Sequence, residues 1–115
     1  MRRGEVRWVD LDPVRDAESA KRRPAVIVSN DGANHMAARL GRGVVTVVPV
    51  TSNVARIYPF QVLLPAGATG LPRDSKAQAE QVRSVAIERI GSSAGFLPAD
   101  LLDDLDAALR LHLAL

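Results

Sequence analysis

Val44-Val45-Thr46-Val47-Val48-Pro49-Val50 is the most β-like run in the chain, and Thr51-Ser52-Asn53 follows it directly. β-branched side chains crowd a helix but pack well on a pleated surface, so this run reads as a strand. The three small polar residues behind it fit a turn, since Ser and Asn are common turn formers. In an antiparallel sheet they also fit a second use: strand ends from different hairpins meet at one rim, and a hydroxyl there can bond an anion.

Upstream of that run, Gly41 and Gly43 stop a short helix over Ala33–Leu40, and Asn30-Asp31-Gly32 has turn chemistry. Pro24–Ser29 is a short apolar run, a buried strand opened by a proline that gives up one ladder donor. Gly4–Leu11 is another short strand, closed by Pro13. Residues 14–22 form a polar connector longer than a tight hairpin, and such loops in small domains commonly carry function. Downstream, Phe60–Leu64 is a strand between Pro59 and Pro65, and residues 66–74, with two Gly and one Pro, are expected to be loop. Ser75–Val85 alternates weakly and is expected to be one long last strand, with a helical turn over Ala86–Ile90. Pro98–Leu113 is the clearest helix: Leu102, Leu105, Leu109 and Leu113 recur at helical spacing, and acidic residues gather near its positive end. About five strands in mostly antiparallel order, a short helix and a terminal helix describe an α+β fold. A strongly bent sheet or small barrel manages its edges best.

A chain of 115 residues suffices for one domain with one core, and 47% apolar content is that of a folded protein. Aromatics are only 3%, which argues against a nucleic-acid binder built on a face of stacked rings. The chain has no cysteine, so neither disulfides nor a Cys-based zinc site is open to it. His35 and His112 alone make no metal site, and both read as structural or solvated. No cofactor is expected. No leader or membrane span is legible, and a cytoplasmic location is expected. The net charge of +2 is uneven: residues 1–89 hold 14 of 15 basic and 9 of 13 acidic residues, whereas the last 26 are net acidic. A basic sheet region suits either a polyanion or an acidic protein, or is simply a solvated surface.

Four segments carry possible chemistry. Pro24 holds Arg23 extended, which fixes where a guanidinium points, and Lys21 and Arg22 add to the local field. Thr51, Ser52 and Asn53 offer small donors. Leu71-Pro72-Arg73-Asp74-Ser75 is an exposed turn or a source of a second arginine. In Glu80-Gln81-Val82-Arg83, read as strand, Glu80 and Gln81 face opposite sides, and a Gln on an open face can bond a base edge. No Ser-His-Asp order, Walker loop or metal-ligand spacing is present.

Taken in order, these pieces resemble the MazF/PemK toxins. The likeness rests on residues 4–13 (Gly-Glu-Val-Arg-Trp-Val-Asp-Leu-Asp-Pro), 21–30 (Lys-Arg-Arg-Pro-Ala-Val-Ile-Val-Ser-Asn), 48–53, 71–75 and 80–84, followed by a Leu-rich helix. The resemblance implies an SH3-like barrel with a terminal helix, shared with the CcdB gyrase poisons, and a homodimer. It implies metal-independent, sequence-selective cleavage of single-stranded RNA: the 2′-hydroxyl attacks the phosphate, leaving a 2′,3′-cyclic phosphate and a 5′-hydroxyl. The family's catalytic pair falls on Arg23 and Thr51. Glu18, Ser19, Lys21, Arg22, Ser52, Asn53, Arg56, Arg73, Glu80 and Gln81 are expected to contact RNA. Arginine is a poor general base, so Arg23 is assigned to phosphate stabilisation, with proton donation to the leaving 5′-oxygen as a further role. Glu18, or a proton-transfer role for Arg23 itself, is the candidate for the base. The family's antitoxins, MazE-like proteins with an acidic tail, would cover the same groove. The competing reading is a CcdB-like toxin that poisons a topoisomerase and cuts nothing.

Overall fold

The computed structural model describes residues 1–11 and 22–115. The valine-rich run is β3 (Val44–Thr51), the pivot of the sheet. Before it come β1 (Glu5–Asp10), β2 (Arg22–Ile27) and α1 (Asp31–Leu40). After it come β4 (Gln61–Leu64), the one-turn α2 (Ala66–Thr69), β5 (Ser75–Gln78), β6 (Arg83–Ala86), β7 (Ile90–Phe96) and α3 (Ala99–Leu113). All pairings are antiparallel, in the order β4-β5-β3-β2-β1-β7, with β6 also on β3. The expected α+β class, antiparallel sheet, short helix and terminal helix are all present.

β3 lacks clean polar alternation because both its faces are covered. Val45 and Val47 join one core cluster with Val9, Ala25, Ile27 and Val85. Val48 and Val50 join the other, with Val6, Val26 and Leu64, closed by Leu105 and Ala108 of α3. Leu105 is fully buried, and truncating such a leucine costs about 2–5 kcal/mol. Leu102 and Leu109 pack partly on the same cluster, whereas Leu113, expected on that face, is half exposed. α1 is set by its caps: the Asn30 side chain accepts from the Ala33 N–H at 2.8 Å, and Gly41 takes the left-handed cap conformation. Arg3 ties the N-terminus to α3 through an ion pair with Asp106 at 2.6 Å.

Four expectations need correction. Ser75–Val85 is not one strand: β5 and β6 both lie along β3, separated by a 3-10 turn over Ala79–Gln81. From Val50↔Ala77 to Val47↔Arg83, β3 advances three residues while the other chain advances six, so three residues loop out. Glu80 and Gln81 therefore sit on that turn and not on opposite faces of a strand. Residues 66–74, expected to be loop, contain α2. β7 is a strand in a stretch where none was expected, so among the described residues the sheet has seven strands where about five were expected. β2 begins at Arg22, two residues before the proline expected to open it.

Two prolines prepare the site. Pro24 of β2 stands opposite Trp8, and Pro49 of β3 stands opposite Ala25. Neither has an N–H to donate; the Val28 N–H donating to the Thr46 carbonyl sets the alternation, so the donor missing at Pro24 is one that would face β3. β2 and β3 pair over only three positions, the last of them Ala25↔Pro49. A cleft opens just beyond.

Candidate active site

That cleft has a volume of about 220 Å³ and lies between the start of β2, the end of β3 and the turn before β5. Arg22, Arg23, Thr51, Ser52 and Arg73 all line it. Continuing the β2–β3 register by two residues places Arg23 opposite Thr51, and directly opposed side chains in an antiparallel pair project to the same side. Arg22 and Arg23 are exposed, and Thr51 is half-buried.

The polar groups are oriented. Thr51 Oγ1 accepts the Asn53 N–H at 3.2 Å, which leaves its own proton free to be donated outward. Asn53 Oδ1 in turn accepts the Ala55 N–H at 3.3 Å. Arg22 is held where β7 has no side chain: a Cβ at Gly91 would lie 2.3 Å from the Arg22 guanidinium and 2.7 Å from the Trp8 carbonyl. Trp8, Pro24, Val50 and Leu71 supply an apolar wall. Among the described residues no carboxylate lines the cleft, and Arg22, Arg23 and Arg73 form no ion pair. Such a cleft attracts an anion, and its arginines and hydroxyls are the donors a phosphodiester accepts from. Its donor set is a poor match for a divalent cation, which prefers carboxylate and carbonyl oxygens.

A larger hollow of about 500 Å³ lies elsewhere, beneath the C-terminal end of α3, between Val28, Leu109 and Leu113. It contains neither Arg23 nor Thr51, and its one charge pair, Arg3 with Asp106, is already satisfied. The smaller cleft is the one lined by arginines and hydroxyls.

The structure does not gather every expected contact residue there. Arg56 lies on the 53–60 loop, where its guanidinium meets the Tyr58 hydroxyl at 3.4 Å. Glu80 is engaged with Gln61, whose Nε2 donates to Glu80 Oε2 at 2.6 Å. Gln81 is exposed on the 3-10 turn, and neither it nor Glu80 lines the cleft. Glu18, Ser19 and Lys21 lie outside the described residues. His35 and His112 are exposed on α1 and α3, away from the cleft. Two residues near the site were missed in the sequence. Trp8 alternates like any strand residue, yet lines the cleft. Lys76 pairs with Thr51 in register, and its only sequence signal is a cation inside a strand of small residues.

Fold and cleft together define a small α+β protein with an arginine-lined cleft at the rim of its sheet. The chain belongs to the PemK-like, MazF-like toxins of type II toxin–antitoxin systems, whose family model matches residues 2–113. It is 63% identical over 115 residues to the endoribonuclease MazF9 of Mycobacterium tuberculosis, covering all of this chain and 98% of that one. It is 30% identical over 116 residues to the endoribonuclease EndoA of Bacillus subtilis, covering 100% and 96%. A crystal structure of a MazE–MazF complex from Deinococcus radiodurans superposes with a TM-score of 0.77 at 28% identity, covering 100% of this chain and 97% of that one.

Proposed function

We propose that this chain is an endoribonuclease toxin that cleaves single-stranded RNA by internal transesterification, with Arg23 and Thr51 as its catalytic pair. The observation that carries the reading is the shared cleft, in which a guanidinium and a hydroxyl with a free proton stand in register on adjacent strands.

The 2′-oxygen attacks phosphorus, the bond to the 5′-oxygen breaks, and the products are a 2′,3′-cyclic phosphate and a 5′-hydroxyl. Negative charge grows on the phosphoryl oxygens along the way. Preorganised donors aimed at that charge lower the barrier, and each is worth about 10²–10³ in rate. Arg23 forks onto the phosphoryl oxygens, and Thr51 donates its hydroxyl proton to one of them. Arg22 and Arg73 hold the neighbouring backbone phosphates, and Ser52 and Asn53 meet the sugar or base beside them. No imidazole or carboxylate lines the cleft among the described residues; Glu18, which lies outside them, is one candidate to test for accepting the 2′-hydroxyl proton, and Arg23 itself is the other.

The family relationship extends the proposal to an acidic antitoxin, since a strand of carboxylates would pair with the cleft's arginines and exclude RNA. It also extends it to a homodimer. The test is incubation of the purified chain with mixed-sequence single-stranded RNA in EDTA. Cleavage by the wild type and none by Arg23→Ala supports the assignment; trapping of a topoisomerase on DNA without RNA cleavage supports the CcdB-like alternative.

A further inference from the structure

Lys76 is only 8% exposed, yet its ammonium donates to a single acceptor, the Arg56 carbonyl oxygen at 2.7 Å. Among the described residues it forms no ion pair. A near-buried cation without a counter-charge is costly, and such a cost is tolerated where an anion arrives. Lys76 stands opposite Thr51 across the β3–β5 pair, so its side chain leaves the sheet on the same side as the Thr51 hydroxyl.

The ammonium lies 5.9 Å from the centroid of the Tyr58 ring. That ring stacks on Phe60 with centroids 5.4 Å apart and planes 1° from parallel, and the Arg56 guanidinium sits 5.7 Å from it. Tyr58 is 42% exposed, and neither ring belongs to a core cluster. The chain has one Trp, one Tyr and two Phe, so half its aromatic residues are spent on this loop and not on the core. The loop is also held in place: the Tyr58 N–H donates to Gln61 Oε1 at 3.1 Å, and Gln61 is fixed by Glu80. Exposed rings flanked by cations are what single-stranded nucleic acid requires, since each base has a face to stack and each link a phosphate to neutralise.

We propose that Lys76, Arg56 and the Tyr58–Phe60 stack form a nucleotide subsite beside the Arg23–Thr51 cleft. An unpaired base of the RNA stacks on Tyr58, and the adjoining backbone phosphate is taken by Lys76. The subsite rests on the RNA-cleaving reading and deepens it, because it supplies binding one step along the strand from the scissile bond. It turns Glu80, expected to read a base directly, into a residue that positions the platform through Gln61.

The experiment is a titration of the full chain with a mixed-sequence 2′-deoxy oligonucleotide, which lacks the nucleophile, and with an abasic strand of equal length, over a range of salt. Lys76→Met is expected to weaken both strands and to lower the slope of log affinity against log salt by about 0.7, the value for one phosphate contact on a single strand. Tyr58→Ala is expected to weaken the base-bearing strand roughly tenfold, leave the abasic strand unchanged and leave the slope unchanged. Tyr58 lies in an exposed loop, so this arm stands even where Lys76→Met fails to fold. An unchanged slope in folded Lys76→Met shows that Lys76 only clamps the loop, and overturns the proposal. Equal weakening of both strands by Tyr58→Ala does the same. A wild type that binds neither strand and cuts no RNA removes the RNA reading and the subsite together. A wild type that binds and cuts, with variants that match it, removes the subsite alone.

Discussion

Arg23 and Thr51 line one cleft, and extending the β2–β3 register two residues beyond Ala25↔Pro49, the last pair the strands form, sets them opposite each other. The ladder stops where Pro24 has no proton to give to β3, and both side chains line the cleft beyond that point. Thr51 has one further constraint, the 3.2 Å bond its oxygen accepts from the Asn53 N–H. Its own proton is not used in that bond. Thr51→Ser keeps that proton and is expected to retain cleavage within about tenfold. Thr51→Val keeps the shape, loses the proton, and is expected to lose about 10²–10³ in rate. Single-turnover cleavage of one RNA by the two variants, with matched thermal melts, separates the hydroxyl from its bulk.

Trp8 is the sole tryptophan and lines the cleft, so its emission reports occupancy without a label. Titration with single-stranded RNA or its 2′-deoxy analogue is expected to change Trp8 fluorescence saturably, and Arg23→Ala is expected to shift the midpoint to higher ligand. An acidic antitoxin peptide is expected to compete for the same signal. RNA binding with flat emission would place the ligand outside the cleft.

Gly70 caps α2 with φ +78, and a Cβ there would lie 2.5 Å from the Ala94 carbonyl oxygen of β7. Both the left-handed backbone and the backbone clash oppose any side chain. Gly70→Ala is expected to destabilise the fold by roughly 2–4 kcal/mol, read as a lower midpoint in urea with an unchanged slope. Gly67, on the same short helix with nothing within 4 Å of its added Cβ, is the control and is expected to accept alanine.

Glu5 links stability to pH. Burial pushes its carboxyl up, but the Ser93 hydroxyl, the Arg7 guanidinium and the Arg2 backbone N–H more than offset this, and the net shift is below the ordinary 4.5. A carboxyl depressed on folding stabilises the native state above its unfolded value and loses that contribution as pH falls through its folded value. Glu5 therefore supports the fold at neutral pH and stops doing so in the acid range below 4.5. Denaturant midpoints of Glu5→Gln are expected to lie below wild type at pH 7 and to converge on it toward pH 3.

The elements legible in the sequence are those whose residues carry their own period or punctuation. β3 is legible from its valines, α3 from its leucines, and the end of α1 from Gly41 and Gly43, whereas its start lies at Asp31, inside a stretch with turn chemistry that Asn30 uses as a cap. β7 is not, because Ile90-Gly91-Ser92-Ser93-Ala94-Gly95-Phe96 has two Gly and two Ser and is a strand only by pairing with β1. There Gly91 serves a close approach, with its carbonyl accepting Arg7 Nε at 2.8 Å. The Ala79–Gln81 turn is equally silent, since small alternating residues continue through it and only the spacing against β3 demands an insertion. The site divides along the same line. Arg23 is marked by Pro24 and Thr51 by the end of a run, and both lie in the cleft. Lys76 is invisible until the register sets it opposite Thr51. Glu80 and Gln81 have the sequence of a strand, but a 3-10 turn carries them, and neither lines the cleft.

The central claim is that Arg23 and Thr51 promote attack of the 2′-hydroxyl on the adjacent phosphate. Its most direct test is the chemistry of the new ends, mapped on total RNA treated in EDTA with wild type, Arg23→Ala and Thr51→Val. We expect the wild type to create 5′-hydroxyl ends paired with 2′,3′-cyclic phosphates, and both variants to lose them while keeping the wild-type melting temperature. New ends bearing 5′-phosphates, or the same ends at the same rate from Arg23→Ala, would contradict it.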